Sequence, residues 1–256
     1  MMIWAWAGAL LIGLTLGLLG SGGSILTVPV LVYLVGEPDT VAIAESLGIV
    51  TIISLVGTIP FILKRLVDGR SVVLFGVPGM VGAYAGAFFS KFVPGSVQLL
   101  VFAVVMLLAA SMMFSNRTGR PAPGRPRMAA WKIALEGLAV GVITGFVGVG
   151  GGFLIVPALV LFGGLTMHMA VGTSLAIIAL KSISGFYKYV DVMRDAGLAI
   201  DWELILLFGA VGVAGSFAGN MLGARISQER LKKGFAVFMV VMGVIIFAQN
   251  VGALIA

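Results

Sequence analysis

Gly20-Ser-Gly-Gly-Ser24, followed by Leu26-Thr-Val-Pro29, returns 128 residues later as Gly148-Val-Gly-Gly-Gly152 followed by Leu154-Ile-Val-Pro157. Ser46-Leu47 returns at the same offset as Ser174-Leu175. The register then slips by five, so that Gly82-Ala-Tyr-Ala-Gly86 lies over Gly215-Ser-Phe-Ala-Gly219 at an offset of 133. Phe102-Ala-Val104 keeps that offset over Phe235-Ala-Val237. The chain is therefore two copies of one unit, residues 1–115 and 127–256. Between them runs Asn116-Arg-Thr-Gly-Arg-Pro-Ala-Pro-Gly-Arg-Pro126, a basic linker whose prolines cannot extend a helix. A duplicated apolar chain with a glycine break in each copy is the pattern of a transporter whose site lies where the repeats meet.

Composition says which solvent surrounds the chain. Hydrophobic residues make up 60% and charged residues 10%, against about 25% charged in a soluble domain. Charge-free runs cover residues 1–36, 46–63, 71–90, 92–116, 137–180, 204–224 and 235–256. A helix crosses a bilayer with about 20 apolar residues, so the expected fold is an all-α polytopic membrane protein. No positive region precedes the first apolar run, which is expected to stay as a membrane segment rather than leave as a signal peptide.

In each unit the pattern predicts a helix (3–19; 130–147), a glycine break and a shorter helix (24–35; 152–162). Three spans follow, over 40–63, 71–90 and 96–115 in the first unit and 168–189, 202–224 and 231–250 in the second. The charges orient them. Lys64, Arg65 and Arg70 share one loop, the linker region carries Arg117, Arg120, Arg125, Arg127 and Lys132, and Arg225, Arg230, Lys232 and Lys233 share another. Basic loops stay cytoplasmic. Placing all three inside forces each unit to cross an odd number of times, with its broken first element entering and returning on one side as a hairpin. The units are then inverted repeats, each a broken hairpin plus three transmembrane helices, with a cytoplasmic linker and both termini outside.

The same residues exclude several functions. The basic residues sit in membrane-flanking loops without an aromatic-plus-basic module, so nucleic acid is not an expected partner. The chain has no cysteine and one histidine. That leaves no thiol chemistry, no expected metal site and no convergent nucleophile and base for an enzyme. Neither glycine stretch fits a dinucleotide or phosphate-loop pattern, and no cofactor is expected.

A break inside an apolar segment frees backbone N–H groups, which is tolerated only where protein or a watery cavity surrounds them. The second half-helix of each hairpin begins at the break and points its positive end at whatever occupies that cavity, which suits an anion. Ser21, Gly22, Gly23 and Ser24 in the first tip and Gly150, Gly151 and Gly152 in the second are therefore candidate substrate-binding residues.

Gly148-Val-Gly-Gly-Gly-Phe-Leu-Ile-Val-Pro157, Ala170-Val-Gly-Thr-Ser-Leu175, Ser184-Gly-Phe-Tyr-Lys-Tyr189 and Gly215-Ser-Phe-Ala-Gly219 with Ala224-Arg-Ile-Ser227 resemble the sulfite exporter TauE/SafE family of membrane permeases. The resemblance spans nearly the whole chain. It implies a bacterial inner-membrane transporter of small anions, often sulfur oxyanions or organosulfonates such as sulfite, thiosulfate or sulfoacetate, with proton coupling commonly supposed. The first copy departs from the second, with Glu45-Ser46 in place of Thr173-Ser174 and Ser24 in place of Gly152.

Other polar residues in apolar runs complete the candidates. Ser46, Thr173 and Ser174 lie about one turn into the helix after each hairpin, where they either donate to an oxyanion or bond back to the preceding turn. Thr51, Ser54, Ser182 and Ser184 are weaker candidates. Lys181 lies about 20 Å along its helix from His168 at 1.5 Å per residue, and either complements an anionic substrate or snorkels outward along its stem. Glu45 is a candidate proton carrier, Glu136 and His168 are expected near membrane surfaces, and Gly82/Gly86 and Gly215/Gly219 suit close helix packing. The reading that follows is a secondary transporter of a small anion. An anion channel of similar build, or a carrier for a non-sulfur organic anion, stays open beside it, as does a homo-oligomer.

Overall fold

Gly20 ends the first helix with φ +80°, a left-handed conformation that a side chain would resist. The computed structural model describes residues 2–90, 95–115, 129–147, 152–161, 163–195 and 198–255, and around Gly20 it places α1 (Met2–Leu19) and α2 (Gly22–Val30). Pro29 lacks the N–H that would continue the ladder, and the chain goes on as one π turn, Leu31–Val35, closed by Gly36 at φ +91°. α2 runs back along α1: Gly8 faces Val30 and Leu34, while Gly23 faces Ile12 and Leu16. The second unit repeats this arm with α6 (Ala130–Val147) and α7 (Gly152–Leu161), which contains Pro157. The exits match as well. Glu37 N–H donates to the Leu31 carbonyl at 3.0 Å and Leu165 N–H to the Leu159 carbonyl at 3.0 Å, and Gly164 takes the left-handed φ of +67°.

The remaining helices are α3 (Asp39–Leu63), α4 (Gly69–Ser90), α5 (Gly95–Ser115), α8 (Met167–Asp195), α9 (Trp202–Arg225) and α10 (Gln228–Ile255). No strand occurs among the described residues. By length and apolarity, Val41–Leu63, Met167–Tyr187, Trp202–Arg225 and Gln228–Ala248 suffice to cross a membrane. Helices α8 and α10 run several residues beyond their expected ends. Apolar length measures bilayer thickness, whereas the backbone ladder continues through polar residues such as Arg194. The expected linker, 116–126, lies outside the described residues.

Glycines decide which helices meet. A Cβ on Gly13 would stand 1.9 Å from the Gly212 carbonyl oxygen and one on Gly17 2.0 Å from that of Ser216. Gly215 and Gly219 press in turn on the backbone of Leu10, Leu14 and Leu18. So α1 and α9 lie backbone to backbone, running in the same direction, as small residues permit in a membrane. The partner unit builds the same seam from α6 and α4: Gly141 against Gly79, Gly137 against Phe75, Gly82 against Leu138 and Gly86 against Val142. The expected packing role of Gly82/Gly86 and Gly215/Gly219 is met, and the partner in each case is the opposite unit's first helix. Helices α3 and α8 cross in opposite directions at the centre, with Gly48 near Phe186 and Gly172 near Phe61. The core between them is apolar, with Ile53, Phe75, Met106, Ile155, Leu175 and Phe235 sealed from solvent. Leu63, Val81, Leu206 and Met221 face outward instead, the reverse of a water-soluble surface.

Candidate functional site

The two half-helices start against each other. A Cβ on Gly152, the first residue of α7, would stand 2.8 Å from the Ser24 hydroxyl in the first turn of α2, and 2.7 Å from Cδ1 of Ile178. The left-handed Gly20 rests on Val171 and Ser174, whose hydroxyl would lie 2.5 Å from a Cβ there. Ser174, Ile178 and Lys181 share one face of α8, three to four residues apart. That face therefore passes the first tip, the start of α7 and the buried lysine within about 10 Å of helix rise. Gly150 and Gly151 lie outside the described residues.

The first tip keeps free polar capacity. Ser21 precedes α2 without forming a side-chain cap, and its Oγ is buried without a hydrogen-bond partner. The first N–H groups of a helix have no intrahelical acceptor. Ser24 donates to the Ser21 carbonyl at 2.8 Å and Thr27 to that of Gly23 at 2.9 Å. A Cβ on Gly23 would meet the Ile12 carbonyl at 2.3 Å, which fixes the tip to α1, whereas Gly22 has looser neighbours in Leu19 and Phe238.

The hydroxyls of the following helices take the back-bonded arrangement. Ser46 donates to the Ile43 carbonyl and Ser174 to that of Val171, each at 2.8 Å. Thr51 likewise donates to Leu47 at 2.7 Å. Ser54 is buried with its Oγ unpartnered, Ser182 is buried, and Ser184 is exposed.

Lys181 does not snorkel. It is 9% exposed, and its ammonium donates to Thr144 Oγ1 at 3.3 Å. Thr144 lies one turn before the end of α6, just ahead of the second tip, and is itself buried. No carboxylate among the described residues stands within ion-pair distance of Lys181. Thr144 was not singled out in the sequence, although a signal existed. Both members of this pair are one-sided, since Leu16 and Ile53 occupy their places in the first unit, inside the apolar core.

Two further contacts join the units. Asp201 N–H donates to Glu45 Oε1 at 2.9 Å, and Asp68 N–H donates to Thr173 Oγ1 at 3.0 Å. Both aspartates also cap the helix they precede, through Leu204 N–H at 3.0 Å and Ser71 N–H at 3.1 Å. Glu45 is fully buried, its Oε2 without a hydrogen-bond partner. His168 lies at the start of α8, its Nε2 donating to the Gly223 carbonyl at 3.0 Å and its Nδ1 meeting the Gln228 amide. It borders a void of about 10 Å³ with Gly17, Val171 and Asn220, room for about one water. The described residues include no cluster of three or more His, Asp or Glu suited to a metal.

An all-helical membrane bundle carrying a buried cation with no carboxylate partner among the described residues, beside two abutting half-helix starts, belongs to the class of membrane transport proteins. Residues 5–246 match the family described as "Sulfite exporter TauE/SafE", and the chain belongs to that family. A "Probable membrane transporter protein" of Xylella fastidiosa (strain 9a5c) is 30% identical over 253 residues, covering 96% of this chain and 95% of its own. The probable membrane transporter protein YunE of Bacillus subtilis is 27% identical over 265 residues, covering 94% and 93%. A probable membrane transporter protein of Haemophilus influenzae is 27% identical over 254 residues, covering 93% and 95%. The chain is a multi-pass membrane permease.

Proposed function

We propose that this permease is a secondary transporter for a small anion, a sulfur oxyanion or organosulfonate such as sulfite, thiosulfate or sulfoacetate, in the bacterial inner membrane. The observation that carries the reading is the meeting of two half-helix starts beside Lys181, a buried cation without a described counter-ion. An anion supplies the counter-charge that Lys181 lacks among the described residues, and the uncapped N–H groups of α2 with the Ser21 hydroxyl supply donors. We assign the second set to the glycines of the second tip, Gly150, Gly151 and Gly152, and keep Ser46, Thr173 and Ser174 as further candidate contacts. The family description favours a sulfur anion over other organic anions. A thermal-shift screen of purified protein against sulfite, sulfate, thiosulfate, sulfoacetate, taurine and small carboxylates tests the class, because a ligand of the native state raises its stability. Stabilisation by at least one sulfur anion is expected. Stabilisation by carboxylates alone would give the site to the organic-anion reading.

We further infer that the units are inverted repeats, with the linker cytoplasmic and Glu45 serving proton exchange. The equivalent helices α3 and α8 run oppositely, and the α1–α9 seam is repeated by α6–α4. In this cysteine-free chain, Asp195→Cys is expected to react with an impermeant maleimide in sealed cells, and Arg120→Cys only after lysis. The reverse pattern would overturn the topology.

A further inference from the structure

The bonds from Asp201 and Asp68 are one contact made twice. Glu45 and Thr173 are equivalent at the offset of 128, and Asp68 and Asp201 at the offset of 133. In each, the backbone N–H of the aspartate capping the unit's fourth helix donates to a side-chain oxygen on the third helix of the other unit, at 2.9 and 3.0 Å. One joins α3 to α9 at the end of the bundle where α8 finishes, and the other joins α8 to α4 at the opposite end. The two differ only in the acceptor, an acid in the first and an alcohol in the second.

We propose that these contacts are the latches of the outer and inner gates, and that the outer latch is closed by the neutral acid form of Glu45, so that external pH controls the outer gate alone. This rests on the transport reading above. The closed latch gives Glu45 one described donor, to Oε1, and seals Oε2 without a partner. A carboxylate has about four acceptor positions to satisfy, and a buried charge without partners is costly. The described charged groups that act on Glu45 are acidic. Glu37 and Asp201 stand within electrostatic reach of Glu45, and Glu203 follows Asp201 on α9. Helices α1 and α2 contain no ionisable residue. The end of α8 carries Lys188, Asp191, Arg194 and Asp195, of which Arg194 is exposed. Loss of the proton from the carboxyl group to external water adds a further negative charge beside Glu37 and Asp201. The carboxylate then leaves Asp201 for water and the latch opens. The Thr173 hydroxyl does not titrate in the same range and holds Asp68 regardless.

Hydrogen exchange of the full-length protein in nanodiscs, without any anion present, tests this with an internal control. Corrected for intrinsic rates, protection of the Asp201 amide is expected to fall about tenfold or more between about pH 5 and pH 8.5, while that of Asp68 changes less than about twofold. Glu45→Gln keeps an acceptor and cannot ionise, so it should hold Asp201 protected across the range. Glu45→Thr, which copies the inner latch, should behave likewise. Equal pH dependence at both amides, no pH dependence at Asp201, or an unchanged dependence in Glu45→Gln each overturns the proposal. Because no substrate enters the measurement, a failed anion screen leaves its outcome independent.

Discussion

Lys181→Met is expected to bind the transported anion tenfold to hundredfold more weakly while remaining folded and inserted. A charge-assisted contact contributes about 1.5–3 kcal/mol, and each 1.4 kcal/mol is about tenfold in affinity. Lys181 has a single described partner, the Thr144 hydroxyl at 3.3 Å, so an apolar replacement leaves no buried charge behind and ends a desolvation cost. Lys181→Arg retains the charge but presents a planar fork, and should keep part of the affinity with altered selectivity. Calorimetric isotherms on the three purified proteins give the answer. Equal affinities would remove Lys181 from the site and leave the hairpin tips with Ser174.

Gly13→Val is expected to produce the largest loss of stability in the chain. Its Cβ alone would lie 1.9 Å from the Gly212 carbonyl oxygen, and both partners are backbone within packed helices, so neither can swing aside. Overpacking typically costs 1–3 kcal/mol, and here the whole α1–α9 seam must part, so about 3 kcal/mol or more is expected. Gly234→Ala provides the contrast. Nothing lies within 4 Å of its Cβ position in α10, and replacing a helical glycine there should stabilise by about 1 kcal/mol. Thermal unfolding and monodispersity of the two proteins in one detergent measure both. A monodisperse Gly13→Val with an unchanged midpoint would mean that the seam does not hold the bundle together.

The repeat made much of the fold legible. Gly20-Ser-Gly-Gly-Ser24 located the first turn-back because a helix cannot continue through such a break, and Pro29 marked where that arm passes from α2 into the π turn, whereas α7 runs on as regular helix through Pro157 to Leu161. The partners were not legible. Gly82 and Gly215 announce a close approach, but which backbone they approach depends on how the units clasp. That Gly13, Gly17, Gly137 and Gly141 complete the seams is a tertiary fact. The site divides in the same way. The depth of Lys181 followed from 1.5 Å per residue, whereas Thr144, 37 positions earlier, is brought beside it only by the packing of α6 on its neighbours. Ser46 and Ser174 have two local choices of similar energy, and both bond back to the preceding turn. Asp68 and Asp201 align at the offset of 133, but their role needs both an N-cap and a cross-unit acceptor, and only the fold supplies the second.

The central claim is that the anion sits between the half-helix starts beside Lys181. Anomalous diffraction from crystals grown with the selenium analogue of the best ligand in the screen tests it most directly. The expected map has its strongest ligand peak between Ser24, Gly152 and the Lys181 ammonium, and Lys181→Met crystals lack it. Selenium density confined to the basic loop around Arg225, Arg230 and Lys233, with none at the hairpin tips, would contradict the account.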